Sequence, residues 1–263
     1  MMRALFTSAT GMMAQQFNMD VISNNLANVN TVGFKSARAD FQDLLYQQIQ
    51  PAGATVSQGA QSPTGIQVGL GVRTASTETM FGEGDLQTTG NPLDTAIEGS
   101  GFYSVLLPDG TTGYTRDGSF KMNSQGQIVN SSGYAIQPEI VIPSNATNIT
   151  IGSDGTVSAN IGGQVAPTSL GQITLTNFVN NAGLESAGGN IFKPTAASGS
   201  PQAGVAGTAG YGTLQQDTLE MSNVSIVNEM VSMIVAQRAY ETNSKAIQTC
   251  DDMLNTANQL KQG

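Results

Sequence analysis

The chain has no histidine, so acid–base work would fall to its carboxylates. Ser-His-Asp and Cys-His nucleophilic arrangements and most zinc sites are removed at once. Asp94 with Glu98, or Asp109 with Asp117, are the pairs that could serve as acid and base. Pro108-Asp109-Gly110 and Asp117-Gly118 are first of all turn sequences, in which the Asp side chain bonds backbone two residues on. Residues 117–123 have the polar spacing of a calcium loop, but Lys121 stands at a ligand position and no glutamate closes the loop. Gly69-Leu70-Gly71 and Gly99-Ser100-Gly101 lack the third glycine and following helix of a phosphate cradle. The expectation is no catalytic residue, no metal, no cofactor and no enzyme.

Positioning therefore matters more than chemistry here. All nine prolines and 28 of the 31 glycines lie between Pro51 and Gly212, which leaves both ends free to run as helices. In the first, Leu5, Ser8, Met12, Gln15, Met19, Ile22, Leu26 and Val29 recur at steps of three and four, one helical stripe. In the last, Met233, Ala236, Tyr240, Asn243, Ile247, Cys250, Leu254 and Ala257 repeat the rule, widened by Met230 and Ile234. Neither helix can bury its stripe alone. Polar Gln15 and Asn243 within the stripes are a register device of helical assemblies. Cys250, the single cysteine, falls in the second stripe and reads as a small buried hydrophobe.

The first helix is expected to stop near Gly33, and Ser222 or Ser225 to cap the last. Residues 35–48 read as a weaker helical or extended piece, and residues 51–71, rich in Gly, Gln, Ser, Thr and Pro, as an extended arm without its own core. From Val72 to Phe178 short apolar runs alternate with turn sequences, which predicts consecutive hairpins. Residues 182–212 read as a loop-rich return path. The fold expectation is α+β: long terminal helices packed together in coiled-coil fashion, enclosing a mainly antiparallel β domain and an extended arm. The division expected is 1–34 for the N-terminal helix, 35–71 for connector and arm, 72–221 for the β domain and 222–263 for the C-terminal helix, with the two helices forming one discontinuous domain.

Charged residues make up 11% of the chain, well under the usual quarter, and the net charge is −9. That disfavours nucleic acid and anionic membrane as partners, and no run has the length of a membrane helix. The first residues make a poor signal peptide, because Thr7, Ser8 and Thr10 interrupt any apolar stretch.

Three separated segments resemble the flagellar rod and hook protein family. Ser23-Asn24-Asn25-Leu26-Ala27-Asn28-Val29-Asn30-Thr31-Val32-Gly33-Phe34-Lys35 is similar to its N-terminal signature. Ser222-Asn223-Val224, Glu229-Met230-Val231 and the run from Gln237 through Arg238 and Tyr240 to Lys245 are similar to its C-terminal signature. Glu98 to Tyr103 and Gly113 to Phe120 resemble its central β segment. The arm, with Tyr46, Pro51, Gly53, Pro63, Gly65, Gly69 and Gly71, is similar to that of the distal rod members.

The resemblance implies a non-enzymatic axial subunit whose terminal helices pack around a central channel, with the β domain as outer wall. It implies a homo-oligomeric helical tube in the basal body, partnered by proximal rod proteins, hook protein, the P and L ring proteins and the type III export apparatus. Export would need no cleaved signal, and no membrane insertion is implied. Three alternatives stay open at this point: a hook or proximal rod subunit, a secreted β-domain adhesin on a helical stalk, and a carboxylate hydrolase acting on the cell wall.

Overall fold

The computed structural model describes residues 2–53, 55–57, 60–61, 63–162 and 166–262. It divides into two compact units. Met1–Leu26, Ala37–Glu78 and Ser225–Gly263 form a helix-bearing unit, and Ala27–Ser36 with Thr79–Val224 form a β unit. Residues 27–36, expected with the first helix and connector, thus belong to the β unit. Residues 72–78 stay with the helices because strand Val72–Thr79 pairs with Ala37–Asp43.

In the helix-bearing unit, helix α1 runs Met2–Ala27 and helix α2 Ile226–Gln262. α1 closes six residues before Gly33: Asn28 accepts the Thr31 amide at 3.1 Å in a turn, and Gly33 takes the left-handed φ of +67° that its lack of a Cβ permits. Ser225 immediately precedes α2, and its carbonyl accepts the Glu229 amide at 3.0 Å. The helices pack together and run antiparallel. A Cβ on Gly11 would lie 2.9 Å from Asn243 Nδ2, while Asn25, further along α1, donates to Glu229, further back in α2, at 3.3 Å.

The expected arm is a two-stranded antiparallel ribbon, Tyr46–Gln50 against Ile66–Gly69, with Thr55–Ser57 against Ala60–Gln61 beyond it. Positions 54, 58, 59 and 62 of the arm lie outside the described residues. None of the arm's side chains whose exposure is described is buried, and no charged residue stands between Asp43 and Arg73.

The β unit is built on a seven-stranded antiparallel sheet in which Phe102–Leu106 is central, flanked by Thr112–Thr115 and Thr174–Asn177. Alternate residues of the central strand feed opposite faces. Tyr103 enters a core with Ile97, Phe120, Ile136, Val157 and Leu175, whereas Phe102 enters an aromatic cluster with Tyr114, Phe178 and Phe192. Edge-to-face contacts such as Tyr114–Phe178, with centroids 4.8 Å apart, order that cluster. Both faces are buried, which makes 102–105 a continuous buried run. A three-stranded sheet, Ala146–Ile151, Thr156–Ile161 and Thr168–Gln172, supplies Ile151 and Val157 to the core. The stretch 182–212 is more than a return path. Glu185–Gly188, Ile191–Lys193 and Gln202–Val205 complete the seven-stranded sheet at its two sides, and Ile191 and Phe192 are buried there.

Candidate assembly site

Of the four candidate carboxylates, Asp94, Asp109 and Asp117 serve turns. Asp109 accepts the Thr111 amide at 2.9 Å and its hydroxyl at 2.5 Å, with Lys193 at 3.0 Å; the Thr111 bonds first, then Lys193, hold its carboxyl at about 2. Asp117 accepts the Ser119 amide at 2.9 Å. Asp94 is buried and accepts from Thr89 at 2.6 Å and Asn91 at 2.8 Å, while Glu98 is exposed. The Asp carboxylates close their own loops by the local bonding that makes Asp a turn former.

The stripes differ between the helices. On α2, Ala236 and Cys250 are buried and Met233, Asn243, Ile247 and Leu254 half-buried, while Met230, Ile234, Tyr240 and Ala257 of the expected stripe are exposed. On α1, Ile22 is buried and Leu5, Met12, Met19 and Leu26 half-buried, and the other buried positions are Ala14 and Asn25; Val29, expected on this stripe, lies past the end of the helix in a turn. The close face is turned toward small and polar residues, because Gly11 and Ala14 allow nearer approach than methionine does. Gly11 is the signal that stripe-reading passes over: a glycine within a helix costs about 1 kcal/mol relative to alanine, and here it makes room for Asn243.

Much of α2 has no cover. Ile226, Val227, Met230, Val231, Ile234 and Val235 are all about half-exposed or more, in its first three turns. Tyr240 is 38% exposed, and Arg238 pairs with Glu241 at 3.2 Å on an open surface. Met2, Phe6 and Met13 stand exposed on α1, and Leu45, Tyr46, Ile49, Ile66 and Leu70 on or beside the ribbon.

The signature residues at the end of α1 and just after it are anchored differently. Within the helix-bearing unit, Asn25 is buried, accepts the Ala37 amide at 2.9 Å and donates to the Ala37 carbonyl at 2.8 Å. Within the β unit, the Gly33 amide donates to the Glu220 carbonyl at 2.8 Å, and a Cβ at Gly33 would lie 2.6 Å from the Asp117 nitrogen. Phe34 is half-buried, its amide 3.4 Å from the Thr31 carbonyl. The Glu220 side chain, with no exposed surface, accepts from Lys35 Nζ, from Arg116 Nη1 at 3.2 Å and from the Gly84 amide at 3.0 Å. Burial lowers the Lys35 pKa from the usual lysine value, and the Glu220 carboxylate opposes that shift. Glu220 carries no sequence pattern that would single it out.

Exposed apolar helix faces and a ribbon without charge mark a subunit made for association. Residues 5–35 match the family described as "Flagella basal body rod protein", residues 96–159 "Flagellar hook protein FlgE/F/G D1 domain", and residues 215–260 "Flagellar basal body rod FlgEFG protein C-terminal". The chain is 54% identical over 263 residues to the flagellar basal-body rod protein FlgG of Borreliella burgdorferi, covering 99% of each. It is 52% identical over 261 residues to that of Caulobacter vibrioides, covering 99% of this chain and all of the relative, and 39% identical over 269 residues to that of Bacillus subtilis, with the same coverage. The chain belongs to the flagellar basal-body rod protein family. It is a structural protein of the flagellum and not an enzyme.

Proposed function

We propose that the chain is the subunit of the distal rod, polymerising through its terminal helices into a rigid hollow shaft. The shaft transmits torque from motor to hook and conducts exported subunits. One observation carries this reading: the apolar face of α2 from Ile226 to Val235 stands open in a chain whose β unit has closed its own core. A face of that kind marks an interaction surface. Leu5, Met12, Met19, Ile22 and Leu26 of α1 and Val29 just beyond it, with Met230, Met233, Ile234, Tyr240, Ile247 and Leu254 of α2, would pack between neighbouring copies in coiled-coil fashion. Residues 46–72 would lie between neighbours as a stiffening arm.

The relatives' name places them in the basal-body rod. Proximal rod proteins, hook protein and the P and L rings are then the neighbours along and around the shaft, in the periplasm. The chain would arrive through the type III export apparatus without signal cleavage. A helix pair that buries so little is marginal before a partner covers it, so the ends become fully ordered on addition to the growing tip.

Introducing Ile234→Asp tests the central claim. Purified protein should keep its stability while cells lose motility and assemble no distal rod; cells that swim normally would overturn it. Deleting residues 46–72 tests the arm, because rods that stay straight and stiff by electron microscopy would remove its stiffening role.

A further inference from the structure

The chain crosses between its two units four times, after residues 26, 36, 78 and 224. On the β-unit side, segments 33–36, 80–84 and 220–224 are bonded to one another. Asn223 accepts the Ser36 amide at 2.8 Å and donates to the carbonyls of Met80 at 2.8 Å and Gly82 at 3.2 Å. The Met80 amide donates to the Ser36 carbonyl at 2.8 Å, and Lys35 Nζ to the Gly82 carbonyl at 2.7 Å. At the centre lies the buried Glu220 carboxylate between the Lys35 ammonium and the Arg116 guanidinium. Arg116 is itself held by the carbonyls of Ile97 at 3.2 Å and Gly99 at 2.6 Å, both parts of the β unit.

Stability alone does not account for such a cluster, since well-packed apolar residues of similar volume often do as well or better. Charges differ from apolar groups in their intolerance of partial assembly. Glu220 without its cations, or either cation without Glu220, is a buried unpaired charge. Lys35 and Arg116 can both be buried with a partner only when segments about 35, 116 and 220 have all met.

We propose that Lys35, Arg116 and Glu220 form a latch that lets the segment leaving α1 and the segment entering α2 become ordered only together, and only on a folded β unit. A chain arriving unfolded then offers no half-ordered end. The latch acts within one chain, so it stands or falls separately from the assembly reading above.

Hydrogen exchange by mass spectrometry on the full-length monomer tests it. Glu220→Gln should speed exchange of 33–36, 80–84 and 220–224 together, by on the order of a hundredfold, as expected when one partner of a buried ion pair is lost. Lys35→Met keeps the neutral Arg116–Glu220 pair and should free 33–36 while 220–224 stay protected. In the double variant Lys35→Met should add little to Glu220→Gln, the signature of one coupled unit. Faster exchange confined to 220–224 in Glu220→Gln, or effects of the two changes that simply multiply, would overturn the latch. If Glu220→Gln does not fold, Lys35→Met decides alone: unchanged protection at 33–36 refutes the proposal.

Discussion

In the β unit, Ile97, Phe102, Tyr103, Phe120, Val157 and Leu175 are closed from solvent around both faces of one sheet. In the helix-bearing unit the buried apolar residues are Ala14, Ile22, Ala236 and Cys250 among the described residues, while Phe6, Met13, Val227, Ile234 and Val235 stand exposed. The two regions place their apolar residues differently. A sheet buried on both faces completes itself within one chain, whereas two antiparallel helices cover one face each and leave the rest available. The second region is thus the one whose chemistry calls for more protein.

The sharpest way to break this contrast is to remove one large side chain from each region. Phe120→Ala should destabilise the β unit by about 3–5 kcal/mol, the usual cost of emptying an aromatic core site, read as a lower urea midpoint. Asn25→Ala leaves both backbone groups of Ala37 without their partner and should cost the helix-bearing unit about 1–3 kcal/mol, read in far-UV circular dichroism melts. Met230→Glu, on the open face of α2, should change monomer stability by less than about 0.5 kcal/mol, as surface substitutions do, yet prevent assembly. A large loss of monomer stability there would mean that the face is already covered.

The smallest effect is acid titration of an exposed turn. The native Asp109 carboxyl is held at about 2, below the unfolded value of about 3.9. Its contribution is present above pH about 4 and lost as pH falls through 2. The Thr111 amide resonance should shift with a midpoint near 2, and a midpoint near 4 would contradict the turn bonding.

Both helices were legible because proline is excluded from them and Gly11 is their one glycine, and the hairpin of Phe102–Leu106 with Thr112–Thr115 because Pro108-Asp109-Gly110 punctuates apolar runs; Asp117-Gly118, expected as a hairpin turn, instead leads from that sheet into another. The stripe on α2 was legible only in part: Ala236 and Cys250 are buried, whereas its larger members Met230, Ile234 and Tyr240 are exposed. On α1 packing depends on the smallness of Gly11 and Ala14, which periodicity of large residues does not register. The strands within 182–212 escaped because Glu185–Gly188 and Gln202–Val205 are made of small or polar residues whose place is decided by neighbouring strands. Glu220 escaped for a related reason: its partners lie 104 and 185 residues away, and no local pattern announces them.

The ribbon between Asp43 and Arg73 carries no ionisable side chain except the Tyr46 phenol, whose pKa is raised by its hydrogen bond to Asp43. Counter-ions have nothing to screen there, and protons nothing to titrate near neutrality. Whatever surface closes over this strip would hold equally in dilute and in saline surroundings.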